Sequence, residues 1–277
     1  MASPMVSFLS WDDSVKVIKR VRNWPSFFVD WSRLTGRQGP FVVKMRDGMR
    51  LLARPRSEDK DVIRGVVLNR EYAPEGFEIG SHDTVVDIGA HIGAFTVTSA
   101  RSASEGVVYA LEPVEANYEL LVRNIELNRL KNVVPTKMAV AKDTGKRELF
   151  VQQDATSGHS FHYRSNRNPV VVDTTSLADF VDRMSIKNID LLKIDCEGAE
   201  YEILTNCPER VFSMIKRIGM EYHFGEDKKD PQILIDILED NGFRVTMSSP
   251  KDWGGMIFAT KQQPVGNVTD VSSPQLR

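Results

Sequence analysis

Hydrophobic positions recur along this chain with two different periods, and the change between the periods lies near residue 80. Before that point most apolar residues are spaced as on one face of an amphipathic helix. The exception is a pair of extended runs joined by Asp47-Gly48, a dipeptide that favours a tight hairpin turn. The pattern therefore predicts two helices, a β-hairpin and a third, shorter helix, over residues 10–21, 25–36, 41–54 and 59–69.

From residue 81 onward, short apolar runs of strand length alternate with segments of helical spacing. Such alternation indicates an α/β fold, in which a mostly parallel sheet is covered by helices on both faces. Ligands of these sheets bind beyond the carboxyl ends of the strands, so the residues after each strand are the candidates for function. The predicted strands are 84–88, 107–111, 133–140, 189–194, 217–221, 243–247 and 256–259, with an inserted pair at 149–153 and 170–174.

Composition and charge exclude several classes of protein. With 41% hydrophobic and 27% charged residues among 277, the chain resembles an ordinary globular protein. Its net charge of −2 disfavours nucleic acid or an anionic membrane as a partner. No run approaches the ~18 apolar residues that span a bilayer, and the first ten residues lack the features of a signal peptide. Two cysteines form neither a disulfide framework nor a zinc site, so we expect a cytoplasmic protein.

The chain divides into three predicted segments. Residues 1–80 carry the helices and the hairpin, residues 81–260 the alternating strands and helices, and residues 261–277 a polar stretch typical of a flexible tail. We interpret the first segment as a cap, a lid or an interface. Its aromatic residues favour a core or a homodimer contact over a binding site, and they are Trp11, Trp24, Phe27, Phe28 and Trp31.

The first candidate site is the segment Asp87–Gly93, where the first strand of the second segment ends in a glycine-rich turn. Gly89 and Gly93 allow a sharp turn and the close approach of a ligand. Their Gly-x-x-x-Gly spacing differs from the Gly-x-Gly-x-x-Gly of nicotinamide enzymes, and Asp87 would repel a pyrophosphate but not a cationic sulfonium. His91 is a candidate lining residue of such a cofactor pocket. The alternative is a packing turn in which Asp87 caps a helix.

A second candidate site lies at Glu112-Pro113, where the next strand ends. Glu112 comes 19 residues after Gly93, near the offset of about 20 at which an acid binds ribose hydroxyls. A carboxylate accepts two hydrogen bonds at once, which suits a vicinal diol. The alternative is a solvent-exposed acid that precedes a helix.

Two later strand ends carry acids and a histidine. Asp195 and Glu197 follow one strand, while Glu221 and His223 share a face at the end of another. We expect these four groups to lie close together, because neighbouring parallel strands end at one edge of a sheet. They could act as a general base or proton relay, and Asp195, Glu221 and His223 could alternatively bind a metal ion. Two further histidines on the insertion are candidate substrate contacts, His159 and His162.

Together these motifs resemble the class I S-adenosylmethionine-dependent methyltransferases, and within them the FkbM family. The similarity extends over about residues 40–260 and is carried by Val85–Phe95, Ala110–Pro113, the Asn124 and Asn128 helix, Asp190–Glu200 and Glu221–His223. The resemblance implies a Rossmann-like fold with a mostly parallel seven-stranded sheet. It also implies methyl transfer to oxygen, on a sugar, a glycolipid or a natural product.

The resemblance further assigns roles to the cofactor residues. Asp87, Gly89 and Gly93 would surround the methionine part of S-adenosylmethionine, and Glu112, followed by Pro113, would bind its ribose. Many relatives place an acid against the adenine after the third strand. Ala139 and its apolar neighbours stand there in this sequence, so we expect backbone and apolar contacts to the adenine.

Methyl transfer to a hydroxyl requires alignment of the reactants and removal of the hydroxyl proton. Asp195 and His223 are the candidates for that proton, with Glu197 and Glu221 orienting them. Alternatively, the same groups hold a divalent cation that lowers the pKa of the hydroxyl.

Two other functions remain open on the sequence. An RNA (tRNA) methyltransferase would share the first two motifs, but the neutral charge balance and the lack of an Asn-Pro-Pro-Tyr-like motif disfavour it. A nicotinamide-dependent oxidoreductase is disfavoured by the glycine spacing. The expected partner is therefore a small-molecule or glycan acceptor.

Overall fold

The structure, a computed structural model, describes residues 9–31, 36, 38–152, 167–224 and 228–262. Its helices are α1 (Trp11–Arg20), α2 (Trp24–Trp31), α3 (Asp59–Val62), α4 (Ala94–Ser102), α5 (Glu115–Leu127), α6 (Leu177–Arg183), α7 (Glu200–Thr205), α8 (Glu209–Phe212) and α9 (Gln232–Asp240). Its strands are β1 (Phe41–Lys44), β2 (Arg50–Ala53), β3 (Thr84–Ile88), β4 (Val107–Leu111), β5 (Val133–Thr136), β6 (Ala139–Val140), β7 (Gly145–Gln152), β8 (Arg167–Thr175), β9 (Leu191–Ile194), β10 (Arg217–His223), β11 (Phe243–Met247) and β12 (Gly254–Lys261).

The main sheet has seven strands in the order β11-β12-β10-β9-β3-β4-β5. Only β12 runs against its neighbours in this sheet. Alternate residues of the central strands pack on opposite faces: Val86 and Ile88 contact the apolar cluster of α6–α9, whereas Val85 contacts the cluster that includes α4. Burial on both faces is typical of parallel sheets. The expected Rossmann-like α/β fold with a mostly parallel seven-stranded sheet is therefore confirmed.

The predicted hairpin is confirmed as β1 and β2, which pair antiparallel. Its turn is stabilised by the Asp47 carboxylate, which accepts a hydrogen bond from the Met49 amide at 2.9 Å. The predicted start of α1 is also confirmed, because the Ser10 side chain accepts from the Asp13 amide. Side chains of α1, the hairpin and α4 form one buried apolar cluster, so this part of the N-terminal segment packs on a helix that covers the main sheet.

Two asparagines four residues apart on α5 dock the hairpin onto the sheet. The Asn124 side chain accepts from the Leu52 amide at 2.6 Å and donates to the Leu52 carbonyl at 3.2 Å. Asn128 makes the same pair of contacts with Arg50, at 3.0 and 2.6 Å. Asn124 also donates to the Ile92 carbonyl at 2.8 Å. A single helix face thus joins β2 to the turn after β3.

Two predicted elements differ from the structure. The strand predicted over 133–140 is broken after Thr136, and β6 instead joins β7 and β8 in a separate three-stranded sheet. Pro135 lies on β5, at the edge of the main sheet, where a missing N–H is tolerated. The helix predicted over 59–69 begins as α3 and continues as a π-helical turn, Ile63–Leu68.

The limits of the described chain bear on two further expectations. Strand β12 extends to Lys261, one residue into the predicted tail, and residues 263–277 lie outside the described residues. Among the described helices, none combines the length and the apolar character required to cross a membrane.

Candidate active site

A cavity of about 840 Å³, counted with the solvent space at its mouth, lies at the carboxyl ends of β3, β4 and β9. Part of its wall comes from the N-terminal segment, through Val62, Val66 and Tyr72. The sequence-predicted residues that line it are Gly89, His91, Glu112, Pro113, Ala139, Asp195 and Glu197. The other predicted residues border these: Asp87 lies on β3, Gly93 lies in the turn that follows this strand, and Glu221 and His223 lie at the end of β10.

Both glycines of the turn after β3 have positive φ, 75° at Gly89 and 82° at Gly93. A Cβ at Gly89 would overlap the carbonyl oxygen of Asp195, so this position requires glycine for the close approach of two loops. A Cβ at Gly93 would collide with the Leu121 side chain of α5. Gly89 therefore shapes the cavity, while Gly93 allows the packing of α5.

Asp87, on β3, is fully buried and does not line the cavity. It accepts a hydrogen bond from the Thr96 hydroxyl at 2.6 Å and lies 3.2 Å from the Lys193 ammonium. Lys193 also donates to the Gly89 carbonyl at 2.6 Å. Burial lowers the pKa of Lys193, but Asp87 and Asp195 outweigh that effect, so its pKa lies above the usual value. Asp87 thus holds the cation that stabilises the turn.

Glu112 is 4% exposed and held in one orientation at the cavity wall. It accepts hydrogen bonds from the His91 amide at 2.8 Å, the Val114 amide at 3.0 Å and the Asn117 side chain at 3.3 Å. Burial raises the pKa of Glu112 to about 7, although the three hydrogen bonds oppose that shift. A fixed carboxylate with remaining acceptor capacity can bind a diol.

Beyond Glu112 the cavity wall is apolar. The residues that line it come from β6, from the residue before β6 and from β7: Met138, Ala139, Val140 and Leu149. This arrangement can hold a flat, uncharged ring through van der Waals contact. It matches the apolar surroundings expected around Ala139.

At the other end of the cavity, one phenol joins two carboxylates. The Tyr72 hydroxyl lies 2.9 Å from both Asp195 and Glu221. Burial, with these two negative charges, raises the pKa of Tyr72 well above its usual value, so the phenol stays protonated. The Asp195 side chain retains 30% exposure and lines the cavity. The sequence interpretation missed Tyr72, because it lies in a loop whose partners are more than a hundred residues away.

His223 is surrounded by carboxylates. Its Nδ1 lies 3.1 Å from the buried Glu200, and its Nε2 lies 3.5 Å from both Glu197 and Glu221. Burial lowers the pKa of His223, but the hydrogen bond to Glu200 and the nearby negative charges raise it to about 12. An imidazolium has no lone pair with which to accept a proton. The general-base role stays a prediction, and a charged His223 favours Asp195 over His223 for that role.

The same cluster contains a set of groups that could hold a divalent cation. Ligand atoms of Asp195, Glu197 and His223 lie within 4.8 Å of one another, and His223 would have to lose a ring proton to bind such a cation. This set contains Glu197 in place of the Glu221 expected from the sequence. Burial, opposed by His223 and assisted by Asp195, raises the pKa of Glu197 to about 7. The remaining candidates, His159 and His162, lie outside the described residues.

Comparison with known proteins adds an identity to this geometry. The methyltransferase FkbM domain matches residues 87–245, more than half of the chain. The 31-O-demethyl-FK506 methyltransferase FkbM of Streptomyces tacrolimicus is 26% identical over 196 residues, 60% of this chain and 75% of that protein. The hexuronic acid methyltransferase AglP of Haloferax volcanii is 24% identical over 227 residues, 80% and 88% of the two chains.

A solved structure, the methyltransferase FkbM from Methylobacillus flagellatus KT, is 16% identical, with a TM-score of 0.46 over 86% of this chain and 59% of that chain. The match of residues 87–245 covers the glycine turn, Glu112, Asp195 and His223. It supports S-adenosylmethionine as the cofactor of the cavity. The chain belongs to the FkbM family and is a methyltransferase.

Proposed function

We propose that this enzyme transfers a methyl group from S-adenosylmethionine to a hydroxyl oxygen of a small-molecule or glycan acceptor. The observation that carries the proposal is the distribution of charged and apolar groups along one cavity. It has a fixed carboxylate, Glu112, at one end, an apolar wall beyond it, and a partly exposed carboxylate, Asp195, at the other end. Two relatives, named for 31-O-demethyl-FK506 and for hexuronic acid, favour an oxygen acceptor on a natural product or a sugar.

Each residue has a distinct role in this mechanism. Bound S-adenosylmethionine would supply an electrophilic methyl group on a sulfonium. Glu112 binds the ribose hydroxyls, and the apolar wall around Ala139 holds the adenine. Asp195 would accept the proton of the acceptor hydroxyl, the oxygen that receives the methyl group. The His223 cation orients Glu197 and Glu221 beside it.

The test has a binding part and a turnover part. Calorimetry should give a saturable heat with S-adenosylmethionine and with its demethylated product, and none with NAD. Radiolabelled cofactor should then transfer its methyl group to hydroxylated glycans or natural products supplied as a panel. Binding of NAD alone would overturn the cofactor assignment. Methylation of tRNA but of no small acceptor would replace the acceptor class.

A further inference from the structure

Arg54, at the end of the N-terminal hairpin, connects that segment to the cofactor end of the cavity. Its guanidinium donates to both oxygens of Asp59, at 2.8 and 2.9 Å. The same group donates to the Asn117 side-chain oxygen at 2.8 Å and lies 3.4 Å from His91 Nε2. Asn117 in turn donates to Glu112. Arg54 is therefore one hydrogen-bonded residue removed from the proposed ribose-binding carboxylate.

We infer that Arg54 is a positioning residue of the cofactor site, which holds Glu112 in place through Asn117 and through the turn that contains His91. This inference rests on the proposed function, because it assumes that Glu112 binds the ribose of S-adenosylmethionine. It adds a residue that lies before the matched FkbM domain, which begins at residue 87.

The anchor of this network is rigid, which is why it can set an orientation. Asp59 is fully buried, and it also accepts a hydrogen bond from the Arg54 backbone amide at 2.8 Å. Two parallel hydrogen bonds between a guanidinium and a carboxylate fix the plane of the guanidinium. The remaining N–H of Nη2 then points at Asn117, whose side chain is 2% exposed. Hydrogen bonds therefore link Asp59, Arg54, Asn117 and Glu112 in one continuous series.

A second path, through His91, also connects Asp59 with Glu112. The His91 amide donates to Glu112 at 2.8 Å, and the His91 ring lies 3.6 Å from Asp59. His91 itself has a φ of 52°, a conformation that a non-glycine residue adopts only when its surroundings impose it. Loss of the Arg54 fork would therefore loosen both sides of Glu112, the Asn117 side and the His91 side.

Lysine is the sharpest replacement at position 54. Arg54→Lys keeps the positive charge beside Asp59, but an ammonium cannot bind Asp59 through two parallel bonds and reach Asn117 at the same time. Asn117→Ala cuts the same path one step later. The matched control is Arg64→Lys, since Arg64 pairs with Asp13 and Asp61 in the same segment and has similar exposure.

The first measurement needs no cofactor. Amide hydrogen exchange should become faster at His91 and Val114 in Arg54→Lys, because both amides donate to Glu112. The Arg64→Lys control should leave these two rates unchanged. Unchanged rates in Arg54→Lys would overturn the positioning role, whatever the cofactor proves to be.

The second measurement is a double-mutant cycle on S-adenosylmethionine affinity. Arg54→Lys should weaken binding about tenfold, within the range of coupling for one hydrogen-bond network. In a Glu112→Ala background the same substitution should change the Kd by less than about twofold, because its target is gone. Equal effects in both backgrounds would assign Arg54 an independent role and overturn the inference. A wild-type protein that does not bind S-adenosylmethionine would overturn the proposed function, while the exchange rates would still decide the positioning.

Discussion

Glu112 is a buried carboxyl group whose ionisation is linked to the stability of the fold. Its pKa of about 7 lies above the usual 4.5, because burial outweighs the hydrogen bonds from His91, Val114 and Asn117. The folded protein therefore binds this proton more tightly than the unfolded chain does. The stability that Glu112 contributes is fully present below the unfolded pKa and is lost as pH rises through about 7.

Glu112→Ala should weaken S-adenosylmethionine binding by roughly ten- to a hundredfold, since a charge-assisted hydrogen bond contributes about 1.5–3 kcal/mol. The affinity of the wild type should also increase as pH rises through about 7, because the ionised carboxylate is the better acceptor for ribose hydroxyls. Calorimetry between pH 6 and pH 8 checks both statements. Glu112→Gln is the control for the pH effect, and an equally steep pH profile in that variant would assign the titration to another group.

Asp195 is the group whose loss should affect chemistry without affecting the cofactor. Asp195→Asn should lower turnover by ~10²–10⁴, the usual contribution of a general base, and leave the Kd of S-adenosylmethionine nearly unchanged. Asp182→Asn, at an exposed pair with Arg210, is the matched control.

A chelator separates the two roles that the acidic cluster around Asp195 could have. Turnover that persists in EDTA agrees with a base, because no cation is then required. Turnover that vanishes in EDTA and returns with Mg²⁺ would instead make Asp195 a ligand of that cation.

At the scale of elements, α5 joins the N-terminal hairpin to the sheet through side-chain amides. Asn124→Ala would leave the buried carbonyl of Ile92 and the partly buried amide and carbonyl of Leu52 without this partner. We expect it to lower the free energy of unfolding by about 3 kcal/mol. Asn128→Ala is the matched control, because the contacts of Asn128 with Arg50 are exposed and should cost less than about 1 kcal/mol. Urea denaturation measures both, and equal losses would contradict this account.

Comparison of the predicted with the observed helices and strands shows which of them the sequence was sufficient to predict. Apolar period and the Asp47-Gly48 turn were sufficient for the hairpin and the main strands, because these depend on local spacing. The break between β5 and β6 was missed, since apolar residues resume at Met138 after only two polar positions, and the two strands differ in the sheet with which they pair. The roles of Tyr72 and Arg54 at the site could not be found from local pattern, because the site residues that they contact, Asp195 and Asn117, lie far along the chain.

At the scale of the whole molecule, the N-terminal segment shares an apolar core with the turn after β3 and with α4, which covers the main sheet. Val17, Val43 and Leu51 pack in the same buried cluster as Ile92 and Val97. A chain that begins at residue 81 would expose this apolar surface and lose the part of the cavity wall that precedes it. We expect that chain to lack a cooperative thermal transition, monitored by circular dichroism beside the full chain. A truncated chain that unfolds cooperatively and binds S-adenosylmethionine would show the segment to be an independent addition.

The asparagine contacts of the hairpin also affect how readily its strands can pair with strands of other molecules. An isolated two-stranded sheet presents two open edges, and open edges invite strands of other molecules to add. On the β2 edge, Asn124 and Asn128 occupy the backbone groups of Leu52 and Arg50. On the β1 edge, Asn23 accepts from the Lys44 amide and donates to the Val42 carbonyl, both at 2.8 Å. Amide side chains thus take the place of neighbouring strands on both sides, and the hairpin is protected from intermolecular β-pairing.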